Sequence, residues 1–344
     1  MKILVAPLNW GLGHASRCVP LVQRLLDEGH EVVLGGDGES LTLLRKHFPK
    51  LRYTYLAPLN LRYSKGSRQV WAILRALPKI ILWAIKDHVF LKALLREEPF
   101  DQIISDNRFG LYISNRRSRS GLVSIYITHQ LHIMLPKGWR WAEGIASRLH
   151  ARIYTRYNKV WIPDYEDPSQ SLAGELTRIP SFVHCTLSLC TLTYIGPLTR
   201  YCTPSTSLSP TGEPEGSMES EGSSTPFAII ALLSGLEPHR TLLEQEIIAR
   251  YAGKEERVLI VQGLMHRPNT RIKRGNITIV PYMSDDELAQ ALCGAKHIIA
   301  RSGYSTIMDL NALGLLKKAE LIPTPGQPEQ EYLAAFWAQK SPII

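Results

Sequence analysis

Four short runs hold the residue types that could do chemistry, and each sits where an aliphatic stretch passes into a helical pattern. The first is Asn9-Trp10-Gly11-Leu12-Gly13-His14-Ala15-Ser16-Arg17. Its glycines let the backbone turn tightly and let a ligand approach, and the free N–H groups of the helix that follows favour negative charge. The run lacks the Gly-Lys-Ser/Thr of a P-loop and the third glycine of the G-x-G-x-x-G dinucleotide fingerprint, which disfavours a Rossmann oxidoreductase. His14 falls in the first helical turn, where the positive end of the helix dipole keeps the ring neutral and able to accept a proton. The competing reading is a histidine that only caps or packs.

The second run, Ala300-Arg301-Ser302-Gly303-Tyr304-Ser305-Thr306-Ile307-Met308-Asp309, repeats the design: a strand ends, small residues turn, a helix begins. Its N–H groups and hydroxyls could cradle a phosphate, with Asp309 one turn on to accept from a ribose diol; otherwise it is an ordinary Ser-capped helix. The third, Leu233-Ser234-Gly235-Leu236-Glu237-Pro238-His239-Arg240, lies at a strand C-terminal edge, where open α/β sheets bind ligands, and Arg240 could clamp a phosphate or be a surface arginine. The fourth, Pro323-Thr324-Pro325-Gly326-Gln327-Pro328-Glu329-Gln330, leads into a helix with Glu329 and Gln330 able to bond sugar hydroxyls. Asp106 and His129 also end strands: Asp106 could orient His14 and His129 could line an acceptor cleft, or both could be structural. His129 and His132 form an H-x-x-H with no third ligand, so no metal is expected.

The elements that must position these runs alternate. Lys2–Pro7 reads as a strand, Ala15–Glu28 as an amphipathic helix and Glu31–Leu34 as a second strand, a β-α-β unit opening a parallel sheet. Strands follow at 102–105, 122–128 and 159–163. Residues 202–226 are rich in Ser, Thr, Pro, Gly and Glu, too apolar-poor to offset the entropy of ordering, and read as a flexible linker. Beyond it come strands at 227–233, 257–262, 277–280, 297–300 and 319–322, with helices at 241–251, 285–293 (capped by Ser284), 305–313 and from about Pro328. The reading is α/β throughout: an N-terminal domain, 1–201, and a C-terminal domain, 227–344, which is short and reads as incomplete, with an early stop at Ser341-Pro342-Ile343-Ile344.

Composition narrows the class. Of 344 residues, 44% are hydrophobic and 21% charged, a folded globular balance. No apolar run approaches the roughly 18 residues of a membrane span, and none at the N-terminus suits a signal peptide, so a cytoplasmic protein is expected. Five cysteines, Cys18, Cys185, Cys190, Cys202 and Cys293, have no C-x-x-C spacing and suggest neither disulfides nor zinc. The net charge of +9 is uneven: Lys and Arg number 27 against 15 Asp and Glu up to residue 200, and 13 against 16 beyond it. The basic excess points to an anionic partner, lipid, phosphate or nucleic acid. Residues 71–96 mix tryptophan, aliphatics and basic residues, which suits an interfacial helix on anionic lipid or a helical pair packed on its own sheet. Arg116-Arg117-Ser118-Arg119 reads as a solvated turn.

Together, in this order, the four runs resemble the GT-B glycosyltransferases, nearest to the MurG-like family with its family 28 C-terminal domain and more loosely to the UDP-glucuronosyltransferases. The resemblance implies two Rossmann-like domains facing a cleft, acceptor on the first and nucleotide-sugar on the second, with no cofactor. It implies an inverting, hexosyltransferase-type, metal-independent transfer from a nucleotide-diphosphate sugar, a UDP-sugar first, to a sugar or lipid-linked acceptor. His14 becomes the general base or an acceptor-site residue, with Asp106 and His129, from their strand-end positions, placed to orient it and to line the acceptor side. Gly13, Ser234, Gly235, Arg240, Arg301, Ser302, Gly303, Tyr304, Ser305, Thr306, Asp309, Glu329 and Gln330 fall on the donor side. Asp309 stands where the family usually has glutamate, and Ala334 where an asparagine is expected. A peripheral site on the inner membrane face is compatible with this reading. The alternatives are a nucleotide-sugar 2-epimerase and a non-catalytic nucleotide- or polyanion-binding protein; no RRM, KH or helix-turn-helix signature supports nucleic acid.

Overall fold

The computed structural model describes residues 1–59, 69–113, 121–186, 190–201, 227–235 and 237–340. The expected linker at 202–226, the arginines at 116–119 and the last four residues lie outside them. In chain order the first half contains β1 (Lys2–Pro7), α1 (Gly13–Asp27), β2 (Glu31–Gly36), α2 (Gly38–His47), β3 (Arg52–Tyr55), α3 (Gln69–Glu97), β4 (Gln102–Asp106), β5 (Val123–Ile127), α4 (Glu143–Tyr154), β6 (Lys159–Ile162) and β7 (Thr191–Tyr194). The second half contains β8 (Ile229–Leu232), α5 (His239–Tyr251), β9 (Val258–Val261), β10 (Ile272–Arg274), β11 (Ile277–Val280), α6 (Asp285–Gly294), β12 (His297–Arg301), α7 (Tyr304–Ala312), β13 (Ala319–Ile322) and α8 (Pro328–Lys340).

The strands form two sheets. The first, ordered β3-β2-β1-β4-β5-β6-β7, is parallel throughout; the second, β10-β11-β9-β8-β12-β13, is parallel except for the antiparallel edge strand β10. Strands of such sheets are covered on both faces and read as unbroken aliphatic runs, which is why Ile3-Leu4-Val5-Ala6 and Val258-Leu259-Ile260-Val261 are buried along their length. Strand order reverses between β1 and β4 in the first sheet and between β8 and β12 in the second. Those are the switch points at whose carboxyl ends open sheets leave a crevice. Register carries the first crevice to atomic detail: Pro7 pairs with Asp106, and Leu8 N donates to the Asp106 carbonyl at 2.8 Å.

Of the two readings of residues 71–96, a single interfacial helix or a helical pair, the chain forms one long helix, α3, running through Pro78. Helix α2 and the edge strands β3, β7 and β10 have no counterpart in the sequence reading. The Ser284 cap is present as a full capping box with Glu287. Helix α8 returns to the first half of the chain: Trp337 Nε1 donates to Leu172 O at 3.0 Å, and Leu172, Ala173 and Leu176 pack in the same apolar cluster as Leu333 and Trp337.

Candidate functional site

The two switch points face each other across a cleft of about 910 Å³. The β1–α1 turn forms one wall and the turns after β8 and β12 the other. Gly11 adopts φ +81°, a left-handed conformation that favours glycine. Gly13 is glycine for another reason: a Cβ there would stand 2.9 Å from Ser305 Oγ, whose hydroxyl donates to the Gly13 carbonyl at 2.9 Å. The N-termini of α1 and α7 therefore meet at the cleft. Neither has a side-chain cap or an acidic residue in its first turn, in contrast to α6, which has both. Uncapped N–H groups and an uncompensated dipole are what an anion binds.

Behind the first wall lies a buried polar chain. His14 Nδ1 lies 2.8 Å from Asp106 Oδ1 and 3.0 Å from Arg17 Nη2; the shorter contact is to a carboxylate that can only accept, and Nη2 donates to that same carboxylate, so Nδ1 carries the proton and Nε2 is the atom able to take another. Arg17, one turn along α1, grips both Asp106 oxygens through Nε and Nη2. Its Nη1 lies 3.0 Å from His129 Nδ1; arginine only donates, so this nitrogen accepts, and His129 Nε2 donates to Glu329 Oε1 at 2.7 Å. Gln130 also donates to Glu329. The ring of His129 stacks on Tyr304 at 4.5 Å, and the Tyr304 hydroxyl donates to Pro163 O at 2.6 Å. The chain thus runs from the base of the first wall to the first turn of α8 on the second.

Burial alone would raise the Asp106 carboxyl; the charge of Arg17, with the hydrogen bonds from Arg17 and His14, holds it well below the usual carboxylate range. Glu329 is likewise lowered against its burial, chiefly by His129. Burial keeps His129 below the ordinary histidine value and takes His150, behind β5, down to about 4. Both are neutral in the native state, while the unfolded chain takes up protons near the ordinary value of about 6.5. Native stability should therefore fall as pH drops from about 6.5 to about 4, at up to about 1.4 kcal/mol per pH unit from His150, and His129 adds a loss of the same sign below about 6.5. Melting temperature followed across that interval checks this, and His150→Leu should flatten the slope. An unchanged slope would remove His150 from the account.

Of the residues singled out from sequence, Gly13, His14, His129, Ser234, Gly235, Gly303, Tyr304, Ser305, Thr306, Asp309, Glu329 and Gln330 line the large cleft. Asp106 lies fully buried beneath His14. Arg301 and Ser302 do not reach the cleft. Arg301 donates to Pro323 O at 2.9 Å and His239 O at 2.8 Å, and Ser302 Oγ to Gln330 O at 2.8 Å, so they fix the turns beneath it. Arg240 opens on a smaller adjoining cavity, paired with Glu237 and Glu244. Asp309 accepts from Thr199 Oγ1 at 2.9 Å and from Arg200 Nη2 at 3.0 Å, while Arg200 Nη1 donates to Asp285 at 2.6 Å. Arg17 and Arg200 were missed. Arg17 had a signal, a charge among Ala15, Cys18, Leu21 and Val22 on the apolar face of α1, which demands a buried partner; Arg200 had none. Among the described residues no three His, Cys, Asp or Glu side chains gather to hold a metal ion.

No protein-family model matches the chain. It is 23% identical to an uncharacterised glycosyltransferase of Methanosarcina acetivorans, over 97% of this chain and 83% of the relative. Among solved structures it superposes on MurG of Acinetobacter baumannii with a TM-score of 0.50 at 13% identity, over 98% of this chain and 83% of the other. It also matches the Streptomyces sp. SF2575 glycosyltransferase SsfS6, complexed with thymidine diphosphate, with a TM-score of 0.55 at 13% identity, over 99% and 86%. With two Rossmann-like sheets whose switch points face one cleft, the chain has the GT-B glycosyltransferase fold.

Proposed function

We propose that the chain transfers a sugar, with inversion, from a nucleoside-diphosphate sugar, UDP-linked in the first instance, to a hydroxyl acceptor. Residues 1–201 form the acceptor side and 227–344 the donor side, joined by 202–226. The observation that carries this is the opening of the His14–Asp106 pair and the uncapped N-terminus of α7 onto one cleft. His14 Nε2 removes the acceptor hydroxyl proton as that oxygen attacks the anomeric carbon. The carbon–oxygen bond to the diphosphate breaks on the opposite face, and its electron pair leaves with the nucleoside diphosphate. First-turn N–H groups of α7 meet the growing charge without reorganising. Asp309 and Gln330 face the ribose and the sugar hydroxyls. The relatives' names and the thymidine diphosphate complex of a neighbour support this donor class.

Gly303→Asp tests the donor side. Gly303 has φ −75° and ψ 141° at the N-cap of α7, and a Cβ there meets nothing within 4 Å. Aspartate should therefore fold and even cap the helix, adding roughly a few tenths of a kcal/mol, while its carboxylate occupies the N–H groups and repels phosphate. UDP should raise the melting temperature of the wild type and not of Gly303→Asp. No shift with UDP or thymidine diphosphate in the wild type would sink the transferase reading.

The same reading extends to a lipid-linked acceptor reached from the inner face of a membrane. No helix among the described residues is long and apolar enough to cross one. On α3, Leu77, Ile81, Ile85 and Val89 are exposed at helical spacing with Lys86 and Lys92 interleaved; beside α4, Trp141, Ile145 and Leu149 are exposed with Arg148 and Arg152. Trp83, Phe109 and His150 meet edge to face in succession, which puts α3 and α4 on one side of the first sheet. Apolar side chains set among cations suit an anionic lipid surface. Binding to phosphatidylglycerol vesicles should fall at least about tenfold in Ile81→Glu/Ile85→Glu; equal binding would remove the membrane from the proposal.

A further inference from the structure

Asp106 is followed, at the carboxyl end of β4, by Asn107, which lines the large cleft and is the one non-glycine residue with a positive φ, +58°, among the described residues. Such a backbone is uncommon outside glycine, and asparagine tolerates it better than most side chains. The turn is held on both sides of it. The Asp106 carbonyl accepts from Leu8 N at 2.8 Å, and the Arg108 carbonyl from Ser105 Oγ at 2.7 Å and Tyr157 Oη at 2.6 Å. A left-handed residue persists where its surroundings over-determine it in this way, and such places cluster at sites that bind or react. The amide is fixed as well. The buried Tyr126 hydroxyl donates to Asn107 Oδ1 at 2.6 Å; its one proton is thereby used, so His150 Nε2, 3.2 Å from that hydroxyl, donates to it. Asn107 Nδ2 has no hydrogen-bond partner among the described residues and is not sealed from solvent, and the opening that Asn107 lines is the cleft. One end of the amide is thus tied into the first domain, and the other leaves two N–H donors beside the carboxylate that orients His14.

We propose that Asn107 binds the acceptor, its Nδ2 donating to an oxygen next to the reacting hydroxyl, and that the acceptor therefore presents two neighbouring hydroxyls, as a sugar unit does, rather than a lone phenol or alcohol. The inference rests on the transferase reading and names the acceptor class for it. His14 Nε2 takes a proton and Asn107 Nδ2 gives one, so a vicinal diol satisfies both groups at once while a single hydroxyl satisfies one. Contact at two points also fixes the direction from which the reacting oxygen attacks, which contact with the base alone leaves free.

Saturation-transfer NMR on the full chain, with saturating UDP, tests it using methyl glycosides of common hexoses, with cyclohexanol as the single-hydroxyl comparator. The wild type should bind at least one glycoside, and more tightly than cyclohexanol. Asn107→Asp keeps an acceptor for the Tyr126 hydroxyl and tolerates the left-handed backbone, but has no N–H to give. Asn107→Gly suits the backbone and removes the amide. Both should weaken glycoside binding about fivefold or more, with cyclohexanol binding and the UDP-induced melting shift unchanged. Should Asn107→Gly melt far below the wild type for want of the Tyr126 contact, Asn107→Asp decides alone. Unchanged glycoside binding in either folded variant, no glycoside bound by a wild type that shows the UDP shift, or tighter binding of cyclohexanol would overturn the assignment. Absence of the UDP shift overturns the donor reading instead, and the glycoside arm is then read by itself.

Discussion

His14→Ala is expected to lower turnover of the proposed transfer by about 10²–10⁴-fold, with the UDP-induced melting shift and the melting temperature nearly unchanged. Its Nδ1–H is tied to Asp106, and its ring is 13% exposed, at the edge of the cleft. Removing it takes away the proton acceptor but does not orphan the carboxylate, since Arg17 still donates to both Asp106 oxygens. Asp106→Asn should cost activity by a different route. The amide can donate where the carboxylate could only accept, so the ring is free to turn or change tautomer, and Nε2 is no longer fixed as the base. UDP release from UDP-glucose, with acceptors or with water alone, reads both variants. Turnover within a few-fold of wild type in His14→Ala would remove His14 from the chemistry while leaving the donor site standing.

What the sequence disclosed follows from how parallel sheets are built. Aliphatic runs such as Ile3–Ala6, Ile103–Ile104 and Ile298–Ala300 announce buried strands by composition alone, and the ligand-facing turns follow each of them, so the walls of the cleft were legible. Edge strands are not. Thr191–Tyr194 is short and half exposed and Ile272–Arg274 is short and exposed throughout, and pairing with a neighbour, which no local pattern records, makes them strands. Within the site, His14 and Asp106 were paired from position because Asp106 ends a strand and His14 opens the helix that follows another. The seam between domains was out of reach: Thr199 and Arg200 meet Asp309 across more than a hundred residues, and Ser302 and Arg301, which sit in the most suggestive run, turn inward onto carbonyls. A motif says which turn approaches a ligand, not which of its side chains faces it.

Arg17→Leu should be the most destabilising single change at the site, by about 3–5 kcal/mol, a sizeable share of the roughly 5–15 kcal/mol that holds an ordinary domain together. Burial alone would lower the Arg17 guanidinium; the Asp106 charge more than offsets it, so the pair is ionised where no water reaches. Take the arginine away and Asp106, wholly buried, keeps only His14 and the weak Cys18 thiol contact. His129 at the same time loses the donor on Nδ1 that fixes its Nε2–H toward Glu329. The double variant Arg17→Leu/Asp106→Leu removes both charges and should recover much of the lost stability, because an apolar pair of similar volume does not incur the cost of a lone buried ion. It should not recover turnover, because nothing then orients His14. Chemical denaturation of the two singles and the double, read beside UDP release, separates the structural from the catalytic part. A loss below about 1 kcal/mol in Arg17→Leu would mean that water enters to solvate Asp106, and the burial of the Arg17–Asp106 pair beneath the cleft would have to be given up.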